Sequence, residues 1–292
     1  MIPITLCGRV PFGRQRHFRM FSVGRHMKQG RALLLLLFLV CSGCGSDGPP
    51  WEPQKNGDAS VLQFIQLSDI HIGKSPQQEE NLRHAVAQIN QMGTALVLLT
   101  GDLTDHGRVE EYATLKEVLS ELSTNYYCVP GDNDIIDGEG DLERYREELG
   151  ADSYSFDFEG LRFIGIDNNS QLSLDEEKRA WLEGELNQDV PAVVFAHKPL
   201  LDGNRAFEPF RLAEPLLNLL ETYGILIFMN GDFHESAEIS RNGVQHIWCD
   251  NLSFIHTGLE TYNLYRMGPD RVRLYHVHFD GTQEFVMEFT WI

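Results

Sequence analysis

The stretch Ala95 to Asp134, ALVLLTGDLTDHGRVEEYATLKEVLSELSTNYYCVPGDND, decides the fold. It opens on an apolar run of strand length, ALVLLT, and continues with apolar residues at helical spacing over about Glu110 to Leu122. A second apolar run, YYCVP, then closes on Pro130. Two strands with a helix between them read as a βαβ crossover, the unit of an α/β protein. Both strands end in Gly-Asp, at Gly101-Asp102 and Gly131-Asp132, so acidic side chains stand where the sheet stops.

The alternation extends outward in both directions. Upstream, VLQFIQL from Val61 leads to a helix around Asn81 to Met92. Downstream, SYSFDFEGLRFIGID predicts a hairpin turning at Glu159-Gly160. A helix from Asp175 to about Asn187 leads to AVVFAH, and another near Pro215 to Tyr223 leads to ILIFMNGD. The remainder, AEISRNGVQHIWCD, TYNLYRM, RVRLYHVHF and EFVMEFTWI, consists of short alternating runs with turn residues such as Asn242-Gly243. It predicts a second, antiparallel-rich sheet.

The chain has 292 residues, of which 42% are hydrophobic, enough for one or two domains with a real core. Every charge before Cys44 is basic, so from Cys44 onward 17 basic residues face 43 acidic ones, a balance of −26. Such a surface repels nucleic acid and anionic lipid heads. Lys28 and Arg31, the apolar run ALLLLLFLV (Ala32 to Val40) and the small residues of CSGCGS follow the order of a secretory signal. The run is too short for an ordinary membrane-spanning helix. Its CSGC ending resembles a bacterial lipoprotein signal, with Cys41 where Leu is usual, and implies lipidation of Cys44. An uncleaved anchor is the alternative. With translation starting at Met27 the signal has ordinary length, and the residues before it are an extension without a fold of their own. The expected organisation is a signal with its extension over 1–43, a Gly-, Pro-, Asp- and Ser-rich tether over 44–60, and a folded domain over 61–292. Cys128 and Cys249 sit in apolar runs; two buried free thiols are expected, with one disulfide as the alternative.

Polar residues gather at the strand ends. SDIH supplies Asp69 and His71, TGDLTD supplies Asp102 and Asp105, and PGDND supplies Asp132, Asn133 and Asp134. AHKP supplies His197, and NGDFH supplies Asp232 and His234. One Gly-Asp after a strand is ordinarily a turn. Five such groups in series, able to converge at one sheet edge, are the residue types that ligate divalent metals. His106 follows as either an alternative acid or an exposed loop residue. His84, His246, His276 and His278 read as structural.

In this order the motifs resemble those of the calcineurin-like metallophosphoesterases, over about Val61 to His234. That pattern runs Asp-x-His, Gly-Asp, Gly-Asn-His-Asp/Glu, His, Gly-His-x-His. The segment GDLTDHGRVEEYATLKEVL resembles the branch with cyclic-nucleotide phosphodiesterase-like members. The resemblance implies an α/β two-sheet sandwich flanked by helices, with two adjacent metal sites. It implies Asp69, His71 and His234 on the first metal, Asp102 bridging both, and His197 on the second. Three positions depart from the pattern. Asp132 stands for an amide ligand, Asn133 for the histidine that protonates the leaving group, and Asp232 for a second-metal histidine. Asp69, Asp102, Asp132 and Asp232 together carry four negative charges, which two divalent ions bring near zero. A second site of Asp102, Asp132, His197 and Asp232 favours Mn, Fe, Mg or Ca, and the first site Fe, Mn or Zn. The expected activity is metal-dependent hydrolysis of a small phosphoester, with Asp102, Asn133 and Asp134 as catalytic positions. Asn133 donates a hydrogen bond but not a proton. The competing reading is a non-catalytic envelope protein that binds a partner or serves structurally. In either case the expected location is outside the cell, lipid-anchored to the envelope.

Overall fold

The computed structural model describes residues 61–135, 141–169, 172, 174–252 and 261–291. The signal-like run, Cys44, the tether and His256 lie outside the described residues. The chain runs β1 (Leu62–Leu67), α1 (Pro76–Met92), β2 (Leu96–Thr100), α2 (Val109–Leu119) and β3 (Asn125–Val129), then a single turn α3 (Asp132–Ile135) and α4 (Leu142–Leu149). The hairpin β4 (Tyr154–Phe158) and β5 (Leu161–Gly165) follows, with Glu159 and Gly160 both at positive φ in its tip. Next come α5 (Glu176–Leu186), β6 (Ala192–Phe195), a small pair β7 (Leu201–Asp202) and β8 (Glu208–Pro209), α6 (Glu214–Tyr223) and β9 (Ile227–Asn230). The last strands are β10 (Ala237–Arg241), β11 (Val244–Trp248), β12 (Thr261–Met267), β13 (Arg271–His278) and β14 (Gln283–Thr290).

These strands form two six-stranded sheets, ordered β14-β13-β12-β1-β2-β3 and β10-β11-β9-β6-β5-β4. The period of two along each strand sends alternate residues to opposite faces. Phe64, Leu98 and Val129 of the first sheet meet Phe163, Phe195 and Met229 of the second in a core between the sheets. Phe64 stacks on Tyr265 at 4.7 Å and meets Phe163 edge-on at 5.6 Å. Ile65, Leu67, Val97 and Leu99 face the other way, onto Leu82, Val86 and Ile89 of α1 and Leu115 and Val118 of α2. Ile164, Val194 and Phe228 do the same against Leu182 of α5 and Leu216 and Leu220 of α6. The result is the expected sandwich flanked by helices.

The C-terminal strands correct one expectation. They do not build a sheet of their own. β12 pairs antiparallel with β1, and β11 pairs parallel with β9, so the tail extends both existing sheets. The free edges of β1 and β9 carry backbone groups that need partners, and β12 has both faces buried, which an outer sheet facing water would not give it. Helix α1 also starts at Pro76 rather than near Asn81, because Ser75 caps it and Pro76 suits its first turn. Cys128 and Cys249 are free, buried thiols.

Candidate metal centre

The loops after β1, β2 and β3 of one sheet and after β6 and β9 of the other meet at the carboxyl ends of the parallel strands. Hydrogen bonds stitch the first two together: Asp69 N donates to Gly101 O at 3.1 Å, His71 N to Asp102 O at 3.0 Å, and Ile72 N to Leu103 O at 3.0 Å. Asp69, His71, Asp102, Asp232 and His234 all adopt left-handed backbone, with φ of 52°, 51°, 50°, 75° and 56°. For residues with a Cβ this costs on the order of 1 kcal/mol each, and it collects where function requires it. Two glycines that precede aspartates are steric necessities. A Cβ on Gly101, itself at φ +91°, would lie 2.6 Å from the His197 ring, and one on Gly231 would lie 1.9 Å from Ser68 Oγ.

Asp69, His71, Asp102 and His234 each bring one ligating atom to within 4.8 Å of the others. Asp69 Oδ1 lies 3.1 Å from His234 Nε2, and His71 Nε2 lies 3.5 Å from Asp102 Oδ2. Asp69 is fully buried and His71 nearly so, yet neither ring nitrogen of His71 makes a hydrogen bond. An orphaned buried polar atom costs about 1–3 kcal/mol, a penalty that a coordinated cation removes. Burial pushes the His71 imidazole down to about 4, so it stays neutral with a lone pair for ligation. Burial also pushes the Asp102 carboxyl up to about 7, against the attraction of His197 and with Asp69, Asp134 and Asp132 adding repulsion. Crowded carboxylates around a neutral imidazole are able to hold a cation, and the donor set fits a divalent metal. Asp105 Oδ1 stands 3.4 Å behind His71 Nδ1, where an outer partner of a ligating histidine is found.

Asp102, Asp132 and His197 form a second convergent group. The fully buried His197 has Nδ1 2.9 Å from Thr100 O, while Nε2 lies 3.1 Å from Asp132 Oδ1, 3.3 Å from Asp102 Oδ1 and 3.6 Å from Asp232 Oδ1. Asp232 thus joins this neighbourhood. So does Lys198, which the sequence reading passed over: its Nζ sits 2.8 Å from Asp132 Oδ2 and 2.5 Å from Asp232 Oδ1. Asn168, also unforeseen, clamps the Lys198 backbone by donating from Nδ2 to its carbonyl at 2.7 Å and accepting its N–H at 3.0 Å. Two surplus carboxylates in AHKP's neighbourhood were a signal for a compensating cation; nothing in the sequence marked Asn168.

Asn133 lies beside Asp102, its backbone N–H donating to Oδ1 at 3.0 Å and its Nδ2 to Oδ2 at 2.7 Å. Asp134, expected as a catalytic position, is instead fully buried and accepts from Gly131 N, Leu103 N, Thr104 N and Thr104 Oγ1, at 2.8, 3.2, 2.9 and 2.7 Å. Those bonds occupy both oxygens, so Asp134 ties the loop after β2 to the loop after β3. His106 is partly exposed and reaches the centre only through Asp105, 3.1 Å away. His84, His276 and His278 bond to Phe279 O, Glu238 and Glu284, away from the centre.

Comparison with known proteins agrees with this geometry. A probable glycerophosphodiester phosphodiesterase of Arcobacter nitrofigilis is 33% identical over 153 residues, 46% of this chain and 56% of that relative, so the match spans little more than half of its length. A probable cyclic nucleotide phosphodiesterase of Ruthia magnifica is 26% identical over 226 residues, covering 73% of this chain and 93% of the relative. Among solved structures, a dimetal phosphatase from Danio rerio shares the fold, with a TM-score of 0.59 at 15% identity over 80% of this chain and 99% of that one. The profile of calcineurin-like phosphoesterases matches residues 62–236, which include every residue of both clusters, and this chain belongs to that family.

Proposed function

We propose that this chain is a metal-dependent phosphodiesterase whose ion is held by Asp69, His71, Asp102 and His234. The observation that carries this is the buried His71 ring, with both nitrogens unbonded and three other ligating side chains within 4.8 Å. The relatives named for glycerophosphodiesters and cyclic nucleotides support a diester as the substrate class. When bound, a divalent ion supplies Lewis-acid activation of water and charge neutralisation at phosphorus. The chain's own residues do the rest. Asn133 grips both oxygens of Asp102 and so fixes the carboxylate that faces both clusters. Its amide offers a departing oxygen a hydrogen bond but no proton, which restricts efficient turnover to good leaving groups. Fe, Mn or Zn suits the mixed nitrogen and oxygen set of the first cluster, and an ion at the second would be Mn, Fe, Mg or Ca.

The test is hydrolysis of bis(4-nitrophenyl) phosphate by the full chain after loading with Mn²⁺. Asp102→Ala should lower turnover at least ~10²-fold, since even the outer partners of ligands are worth 10–100-fold. Unchanged turnover in that variant overturns the assignment. A second reading, a family member that binds metal without turnover, is favoured by Asn133 at the acid position; it predicts a metal-loaded protein inert towards every diester. The proposal includes export, with a lipid on Cys44, residues 44–60 as tether and 61–292 as the phosphoesterase domain. The order of basic residues, apolar run and CSGC supports that placement.

A further inference from the structure

We infer that the second cation position of this centre is filled by the chain's own Lys198 ammonium, so that the protein takes one divalent ion, at the first cluster, and not two. The inference rests on the proposed role of Asp69, His71, Asp102 and His234. Lys198 Nζ touches Asp132 Oδ2 at 2.8 Å and Asp232 Oδ1 at 2.5 Å. These are charge-assisted contacts. The same two carboxylates, with Asp102, surround His197 Nε2 at 3.1 to 3.6 Å, so Nζ stands beside the very atoms a second metal would need.

A divalent ion binds oxygen ligands at roughly 2.0–2.6 Å, with their lone pairs converging on one point. Asp232 Oδ1 and Asp132 Oδ2 instead converge on Nζ. The lysine is also built into place: Asn168, itself fully buried, bonds both its N–H and its carbonyl. Asp132, Asp232 and Lys198 therefore make one charge-compensated unit. The carboxylates stand where the family's pattern has an amide and an imidazole, and the ammonium supplies the cation they require. An ammonium has three N–H groups. Two are spent on Asp132 and Asp232, and the third can meet a phosphoryl oxygen, giving the diester a positive contact without a second ion.

The test is metal stoichiometry in the full chain, loaded with Mn²⁺, freed of excess metal and measured by elemental analysis and electron paramagnetic resonance. One equivalent with the spectrum of an isolated Mn²⁺, rising to two with an exchange-coupled spectrum in Lys198→Met, is the expected result. Two equivalents in the wild type, or a Lys198→Met protein that gains no ion, overturns the inference. If Lys198→Met fails to fold because its carboxylates lose their cation, Lys198→Met with Asp232→Asn removes one surplus charge without adding a ligand and carries the same comparison, Asp232→Asn alone being the control that keeps the ammonium and should stay at one equivalent. No ion in the wild type but one in the variant would uphold the role of Lys198 while overturning the proposed first-cluster site.

Discussion

Asp134 and Asp102 are two aspartates in neighbouring loops with opposite uses. Asp102 keeps both oxygens towards the clusters, whereas Asp134 spends both on four donors that tie the loop after β2 to the loop after β3. Burial pushes the Asp134 carboxyl up, and the bonds from Gly131, Thr104 and Leu103 oppose that shift without cancelling it. Asp134→Ala would leave three N–H groups and a hydroxyl buried without an acceptor, at a cost of about 3–5 kcal/mol in urea unfolding. A loss below about 1 kcal/mol would mean that the loops are held otherwise. At this scale the sequence displayed the ligand types well, because Asp-x-His and Gly-Asp directly after apolar runs fix both chemistry and place. It placed both Asp132 and Asp134 at the centre, two residues apart in one turn, since which carboxylate faces the clusters depends on the path of α3. Lys198 was hidden for a related reason. Its partners lie in loops after β3 and β9, and they become neighbours only when the two sheets dock.

Among the elements, the βαβ half of the fold was legible because its strands are largely apolar runs and α1 and α2 follow β1 and β2. The C-terminal strands were misplaced because alternation reveals a strand but not its partner. The partner is set by a buried polar network: Gln66 of β1 accepts from Asn263 Nδ2 at 3.1 Å and Tyr265 OH at 2.7 Å of β12, and donates to Asn230 O of β9 at 3.0 Å. Such groups cost too much to bury unpaired, so they select a single register. His246 on β11 shows the opposite case. Its ring packs 5.8 Å from Phe228, its Nε2 has no hydrogen bond, and burial pushes its pKa down to about 4, with Glu221 opposing. Because the folded value lies below the unfolded one of about 6.5, the neutral ring contributes its full stability above that pH. The contribution falls away as pH drops towards 4, by about 2–3 kcal/mol between pH 7.5 and 4.5. His246→Leu should therefore lose less stability than the wild type over that interval in urea unfolding. Equal losses would show that His246 does not bury a neutral ring.

For the molecule as a whole, charge and the proposed lipid anchor pull in different directions. From Cys44 onward the balance is −26, so the folded body has no electrostatic reason to approach an anionic membrane. The proposed retention at a membrane would therefore rest on the segment before the domain, where a lipid and an uncleaved apolar run are the two candidate mechanisms. The run Ala32 to Val40 would cover about 14 Å as a helix, against a hydrocarbon core of about 30 Å, which argues against a spanning anchor. A lipid on Cys44 needs no such length, because acyl chains insert on their own account. With lipidation, the full chain expressed in a bacterial host stays with membranes through a high-salt wash and leaves them in detergent, and Cys44→Ser appears in the soluble fraction without the acyl mass. If Cys44→Ser remains with the membranes after the wash, the uncleaved apolar run holds the protein and the lipid assignment falls. The phosphodiesterase proposal survives that outcome, because the clusters begin at Asp69 and owe nothing to how the chain is tethered.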